Sequence, residues 1–248
     1  MFCIIYGCVV LWTFLNGVCS VTLYREEGTI GPGDALKDPD TICCVRPEWE
    51  ALMYLDYATV FIDQNTAFAY INGSVKFGYS LSRGKVYIHT DGVMQSPLIP
   101  KPVPSNYTIL YDFSHGIVYS VVYGECQKTQ LEQNMTLQCI PGKNMTLQSL
   151  PGSAKDISAG VVGNENTGRL VHTYRYTDTG DVPWKITATV LKIDIAPVEP
   201  KECDPVTVTY FAPTANPDSG SLYTLNVLDI GDIKSLDMFD IPKECTHL

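Results

Sequence analysis

Apolar and polar residues alternate at every second position through much of the chain, the period that sends strand side chains to opposite faces. The clearest case is YDFSHGIVYSVVYGEC, residues 111–126. Its arms, 106–113 and 116–123, are rich in β-branched and aromatic residues, and Ile117, Tyr119 and Val121 form one row of the second arm. Ser114, His115 and Gly116 predict the turn, with Gly116 free to take a positive φ. Cys126 leaves the hairpin as a crosslinking point.

The same pattern predicts strands over 59–63, 66–71, 74–81 and 85–90, with hairpin turns at Asn72-Gly73 and Arg83-Gly84. Residues 48–57 are open between a helical turn and a first strand. Pro97, Pro100, Pro102 and Pro104 impose a stiff, irregular crossover that cannot join a central ladder. Further on, Leu170, His172, Tyr174 and Tyr176 alternate with Val171, Thr173 and Arg175, and DTGD at 178–181 marks a turn. Trp184, Ile186, Ala188 and Val190 share one parity, and Leu191, Ile193 and Ile195 take the other. That flip predicts a β-bulge at Val190-Leu191. Val206, Val208 and Tyr210 alternate again, 222–230 reads as a last strand, and 235–239 as a short helix. The total is roughly nine to eleven strands, an all-β antiparallel sandwich or open barrel with minor α content.

The ends and the composition narrow this further. Residues 1–20 carry no charged side chain, and an apolar run from Phe2 to Leu15 is followed by small residues, the pattern of a signal peptide. Residues 21–42 lack periodicity and form a flexible leader. A single β domain over 43–248 follows. The expectation is a secreted, extracellular protein. The net charge of −10 argues against a nucleic-acid partner, which needs a basic surface.

Three of the nine cysteines leave with the signal peptide, and Cys43, Cys44, Cys126, Cys139, Cys203 and Cys245 remain. An even number in an oxidising compartment predicts disulfides and leaves the pairing open. Sequons at Asn72, Asn106, Asn134 and Asn144 predict an N-glycoprotein. QNMTLQCIPG (133–142) is followed directly by KNMTLQSLPG (143–152), a local duplication that enlarges a surface loop.

No constellation predicts catalysis. His89, His115, His172 and His247 have no partner at a motif spacing. Asp112, Ser114 and His115 lie within four residues, whereas a working triad converges from separate segments. Turn capping by Asp112 or Ser114, with His115 exposed at the tip, explains them better. Asp229, Asp232, Asp237 and Asp240 read as a solvated acidic loop, with calcium ligation the alternative. The many apolar strand residues fill a core, or, in a bent sheet, line a cavity.

Several landmarks in order resemble the ependymin-related family of secreted glycoproteins. They are C-x-x-P then Trp (Cys44, Pro47, Trp49); the hairpin from Ile109 to Cys126; and C-x-P-V followed by Thr and aromatics (Cys203, Pro205, Val206 to Phe211). The last is a terminal D-x-x-F-x-x-P-x-x-C with Phe239, Pro242 and Cys245 in place and the Asp offset by one at Asp237. The resemblance runs from 43 to 245. It implies strongly curved antiparallel sheets forming an open half-barrel around a hydrophobic pocket, similar to bacterial lipoprotein carriers. It also implies calcium as a cofactor, extracellular-matrix contacts and homodimer formation. By analogy Cys44 would pair with Cys203 and Cys126 with Cys245, leaving Cys43 with Cys139. The duplicated loop and the Cys43-Cys44 doublet depart from the family pattern.

The function expected from this is non-enzymatic binding of a hydrophobic or lipid-like ligand, with calcium. The alternative is an extracellular or shell matrix protein without a small-molecule ligand. A hydrolase is disfavoured because no nucleophile, base and orienting group can be named.

Overall fold

The computed structural model of the chain describes residues 41–61, 67–97, 99–131, 135, 139–141, 155–162, 168–177, 185–192, 202–213 and 220–247. The expected signal peptide, the expected leader up to residue 40, Asn134, Asn144, nearly all of the repeat and the expected turn at 178–181 lie outside them.

In chain order the first strands are β1 (Thr41–Cys44), β2 (Glu48–Phe61), β3 (Ala67–Ser80), β4 (Lys85–Gln95) and β5 (Val103–Pro104). Then come β6 (Tyr107–Asp112), β7 (Ile117–Val122), β8 (Glu125–Gln130), β9 (Cys139–Pro141) and β10 (Lys155–Val162). The last are β11 (Arg169–Thr177), β12 (Lys185–Lys192), β13 (Cys203–Pro213) and β14 (Gly220–Gly231), before 3-10 turns at Leu236–Phe239 and Lys243–Cys245. The class is all-β, its named strand pairs are antiparallel, and neither sheet closes on itself. No helix among the described residues is long and apolar enough to cross a membrane. The chain forms two compact units, Met1–Arg46 with Thr136–Ala215, and Pro47–Met135 with Asn216–Leu248.

The second unit is one sheet in the order β14-β2-β3-β4-β6-β7-β8, with β5 also on β4. Residues 48–57, left open by their sequence, belong to a single strand of fourteen residues. Asn72-Gly73 is not a turn, contrary to expectation: β3 runs unbroken through it, because Gly73 sits opposite Gly92 at a close approach of two backbones. A Cβ at Gly73 would fall on the backbone of Asp91 and Gly92, and one at Gly92 would lie 2.7 Å from the Asn72 carbonyl oxygen. Glycine in a strand interior can mark such an approach as readily as a turn. Gly92→Ala is expected to cost about 1–3 kcal/mol of stability, as overpacking does, measured by urea unfolding; an unchanged midpoint would show that the two strands separate freely.

The Arg83-Gly84 turn and the hairpin of β6 and β7 are as expected, with Gly84 and Gly116 at φ 62° and 65°. β8 is a polar edge strand that alternation could not reveal, joined to β7 through Tyr123-Gly124, both at positive φ. The proline crossover meets the sheet only at its margin, where Val103 and Pro104 oppose Met94 and Val93.

In the first unit β10, β11, β12 and β13 form an antiparallel sheet, and β1 pairs with β9 as a separate ribbon. β1 starts at Thr41, inside the end of the expected leader. Cys43, Tyr174, Val190 and Cys203 make its buried cluster. The bulge lies beside the expected position but on the partner strand. β12 pairs continuously with β11 through Val190 and Leu191, while Thr189 opposes Thr207 and Val190 opposes Pro205, so Val206 of β13 is the extra residue.

The cysteine pairing needs correction. Cys203 is bonded to Cys43, not to Cys44, so the analogy also fails for Cys43 with Cys139. Cys44 is itself disulfide-bonded, and its backbone lies opposite Cys139 in the β1–β9 ribbon. Alternation explains the swap, because neighbouring cysteines on a strand point to opposite faces and cannot reach the same partner interchangeably. Cys44 also bridges Glu202 through its backbone, and Arg46 pairs with Asp204 at 3.1 Å, so β1 is held to β13 by several contacts. Cys126 is bonded to Cys245, as the resemblance implied.

Candidate functional site

Strand parity in the second unit sorts its side chains into two faces. One carries Trp49, Ala51, Met53, Leu55 and Tyr57 on β2 against Tyr79, Phe77, Val75, Gly73 and Ile71 on β3. The register continues the same face through Val86, Ile88 and Thr90 on β4, Tyr111, Ile109 and Tyr107 on β6, and Tyr223 and Leu225 on β14. Nearly every one of these side chains is buried. The Trp49 ring lies 4.8 Å from Phe77, and Tyr57 stacks on Tyr223 at 4.9 Å. Gly73 and Gly92 contribute no side chain to this face, and their backbones meet there instead.

A few polar groups interrupt this face. Thr59 meets Ser221 at 3.0 Å. Burial pushes the Tyr107 phenol up. The indole Nε1 of Trp49 is buried with no hydrogen-bond partner among the described residues. Mostly apolar and aromatic walls with sparse polar groups are what a small-molecule site presents.

The opposite face is closed at one end by the C-terminal segment. Met238, Phe239 and Cys245 pack on Leu110, Tyr119 and Val121, so the row predicted from the hairpin faces this segment. A Cβ on Gly78 would run into the Met238 sulfur and the Phe239 ring. Lys85 fastens the segment by donating from Nζ to the Phe239 carbonyl at 3.0 Å. Both 3-10 turns belong to this segment, and neither joins the face that carries Trp49.

Asp112, Ser114 and His115 do converge, but as a capped turn. Ser114 donates its hydroxyl to Asp112 Oδ1 at 2.5 Å, and the His115 backbone N–H donates to the same oxygen at 3.1 Å. Lys85 Nζ lies 3.3 Å from Asp112 Oδ2, and His115 is exposed. A hydrolytic triad would aim the serine hydroxyl at the histidine; here it donates to the carboxylate. Burial alone would raise the Asp112 carboxyl, and the hydrogen bonds from Ser114 and His115 with the Lys85 ammonium overcome it, holding the group below 3.8. Its contribution is therefore present above the unfolded value and is lost as pH falls through the lower folded value. Asp112→Asn is expected to flatten the acid limb of a plot of melting temperature against pH. An acid limb identical to that of the parent would show that Asp112 is not its source.

The remaining candidates are dispersed. Asn72 is half-buried in mid-strand, and Asn106 is exposed before β6, its Oδ1 accepting the Gly92 N–H at 3.3 Å. Asp229 pairs with Lys234, Asp237 stands in the first 3-10 turn and Asp240 caps it. Among the described residues no group of three or more His, Cys, Asp or Glu is placed to hold a metal ion. Sequence reasoning missed the Gly73–Gly92 pair and Lys85; a second glycine at a strand position opposite Gly73 was the available signal for the former.

No family model matches the sequence, and no curated protein matches it. Among solved structures the chain is similar to an uncharacterized conserved protein from Thermus thermophilus, at 9% identity and a TM-score of 0.36, over 84% of this chain and 90% of that one. It is also similar to a LolA superfamily protein from Nitrosomonas europaea, at 9% identity and a TM-score of 0.31, over 84% of this chain and 96% of that one.

Proposed function

We propose that this chain is a secreted, glycosylated, non-enzymatic protein that binds a hydrophobic or lipid-like ligand, and that it belongs with the ependymin-related proteins it resembles. The observation that carries the reading is the apolar face of the second unit. It extends across β14, β2, β3, β4 and β6, and the unit's own 3-10 turns pack on the other side. The buried Trp49 indole N–H is the group a ligand's polar end would satisfy. Calcium and a homodimer, both implied by the resemblance, belong to the same proposal; calcium titration by calorimetry and sedimentation of the purified protein check them.

The decisive experiment is solvent extraction of protein purified from culture medium, followed by mass spectrometry and by uptake of a fluorescent fatty acid. The expected result is a co-purifying apolar molecule and saturable uptake that Trp49→Ala weakens. Neither bound molecule nor uptake would sink the carrier reading and leave the matrix reading.

A further inference from the structure

The outer face of the second unit carries a group of exposed apolar side chains around one sequon. Asn72 lies directly between Asp56 on β2 and Val93 on β4. Tyr70 and Ser74 flank it on the same face of β3, Tyr54 is opposite Ser74, and Leu222 is opposite Ala58 in the next row. Tyr54, Val93 and Leu222 are all exposed. The Tyr70 ring is held in place, its hydroxyl donating to Asp56 Oδ1 at 2.7 Å. Asn72 follows Tyr70 by two positions on the same face of β3, the next neighbour along the strand. The amide nitrogen that would carry a glycan therefore stands beside an anchored aromatic ring.

We infer that Asn72 is an N-glycosylation site whose first N-acetylglucosamine lies against Tyr70, so that the glycan covers the apolar outer face of this sheet. In the reaction the Asn72 amide nitrogen displaces the diphosphate of a lipid-diphosphate-linked oligosaccharide. A C–N bond forms at the anomeric carbon, the C–O bond to the diphosphate breaks, and the amide proton leaves with it. The axial C–H groups of the sugar then meet the face of the ring, a weak contact repeated over several atoms. Cross-strand neighbours about 5 Å apart and diagonal ones about 7–8 Å apart are within reach of one sugar ring.

The placement also fixes the order of events. Asn72 and Gly73 are paired on both sides in the finished sheet, and Gly73 lies at the close approach to Gly92. An oligosaccharide can be added only before β3 pairs with β4, during synthesis. The inference rests on the secretory reading but not on the ligand.

The test is glycopeptide mass spectrometry on protein secreted by cultured animal cells, with NMR of the sugar protons. Occupancy at Asn72 is expected, together with an upfield shift of the first sugar's protons from the Tyr70 ring current. That shift should be lost in Tyr70→Ala and kept in Tyr70→Phe; Tyr70→Leu serves if the alanine variant does not fold. A bare Asn72 beside an occupied Asn106 overturns the inference alone. An occupied Asn72 with the same sugar shifts in parent and Tyr70→Ala overturns the covering role. A wholly unglycosylated chain retained in the cell overturns the secretory reading as well.

Discussion

Replacing Cys126 and Cys245 together by serine is expected to lower the unfolding free energy by about 4–5 kcal/mol, the chain-entropy value for a loop of this size. The two residues are 119 positions apart, and they tie β8, a polar edge strand, to the last turn of the chain. Without the link, the segment from residue 236 onward is held by apolar packing on Leu110, Tyr119 and Val121 and by Lys85. The double variant should show protease cleavage near Met238 before global unfolding. Denaturant titration of both proteins checks the magnitude, and a loss below about 1 kcal/mol would mean that the unfolded chain is already compact.

Phe239→Ala is expected to cost about 3–5 kcal/mol, the range for deleting a buried aromatic ring. Phe239 is 3% exposed, and its ring shares the space over Gly78 with the Met238 sulfur. Gly78→Ala should cost less in the Phe239→Ala background than alone, because one of the two groups that crowd the new Cβ is gone while the Met238 sulfur remains. Additive losses in the double variant would show that Gly78 and Phe239 are energetically separate.

Much of the strand pattern was legible because alternation depends on two neighbouring residues at a time. The β6–β7 hairpin, the Arg83-Gly84 turn and β14 all follow from local signals. β8 was not legible, since a polar edge strand buries little on either face and leaves no alternation to read. Asn72-Gly73 misled for the opposite reason. The dipeptide has the local chemistry of a turn, and only the matching glycine nineteen positions on, at Gly92, converts it into a crossing of two straight strands. The candidate apolar face was visible as a supply of aromatic and branched residues, but its extent needed the register of five strands.

The residues Tyr111 to Cys126 illustrate the division. By itself the sequence determined the two strands, the turn at Ser114 to Gly116 and the apolar row Ile117, Tyr119 and Val121, because these depend on local backbone preference and side-chain parity. Only the tertiary structure decided that the row meets Phe239 and Met238, and that Asp112 is pinned by Lys85. It also decided that Cys203 bonds Cys43 rather than its neighbour. Those outcomes depend on which segments the register brings together, from 27 residues apart for Lys85 and Asp112 to 160 for Cys43 and Cys203, and strand alternation, which repeats every two, carries no record of such distances.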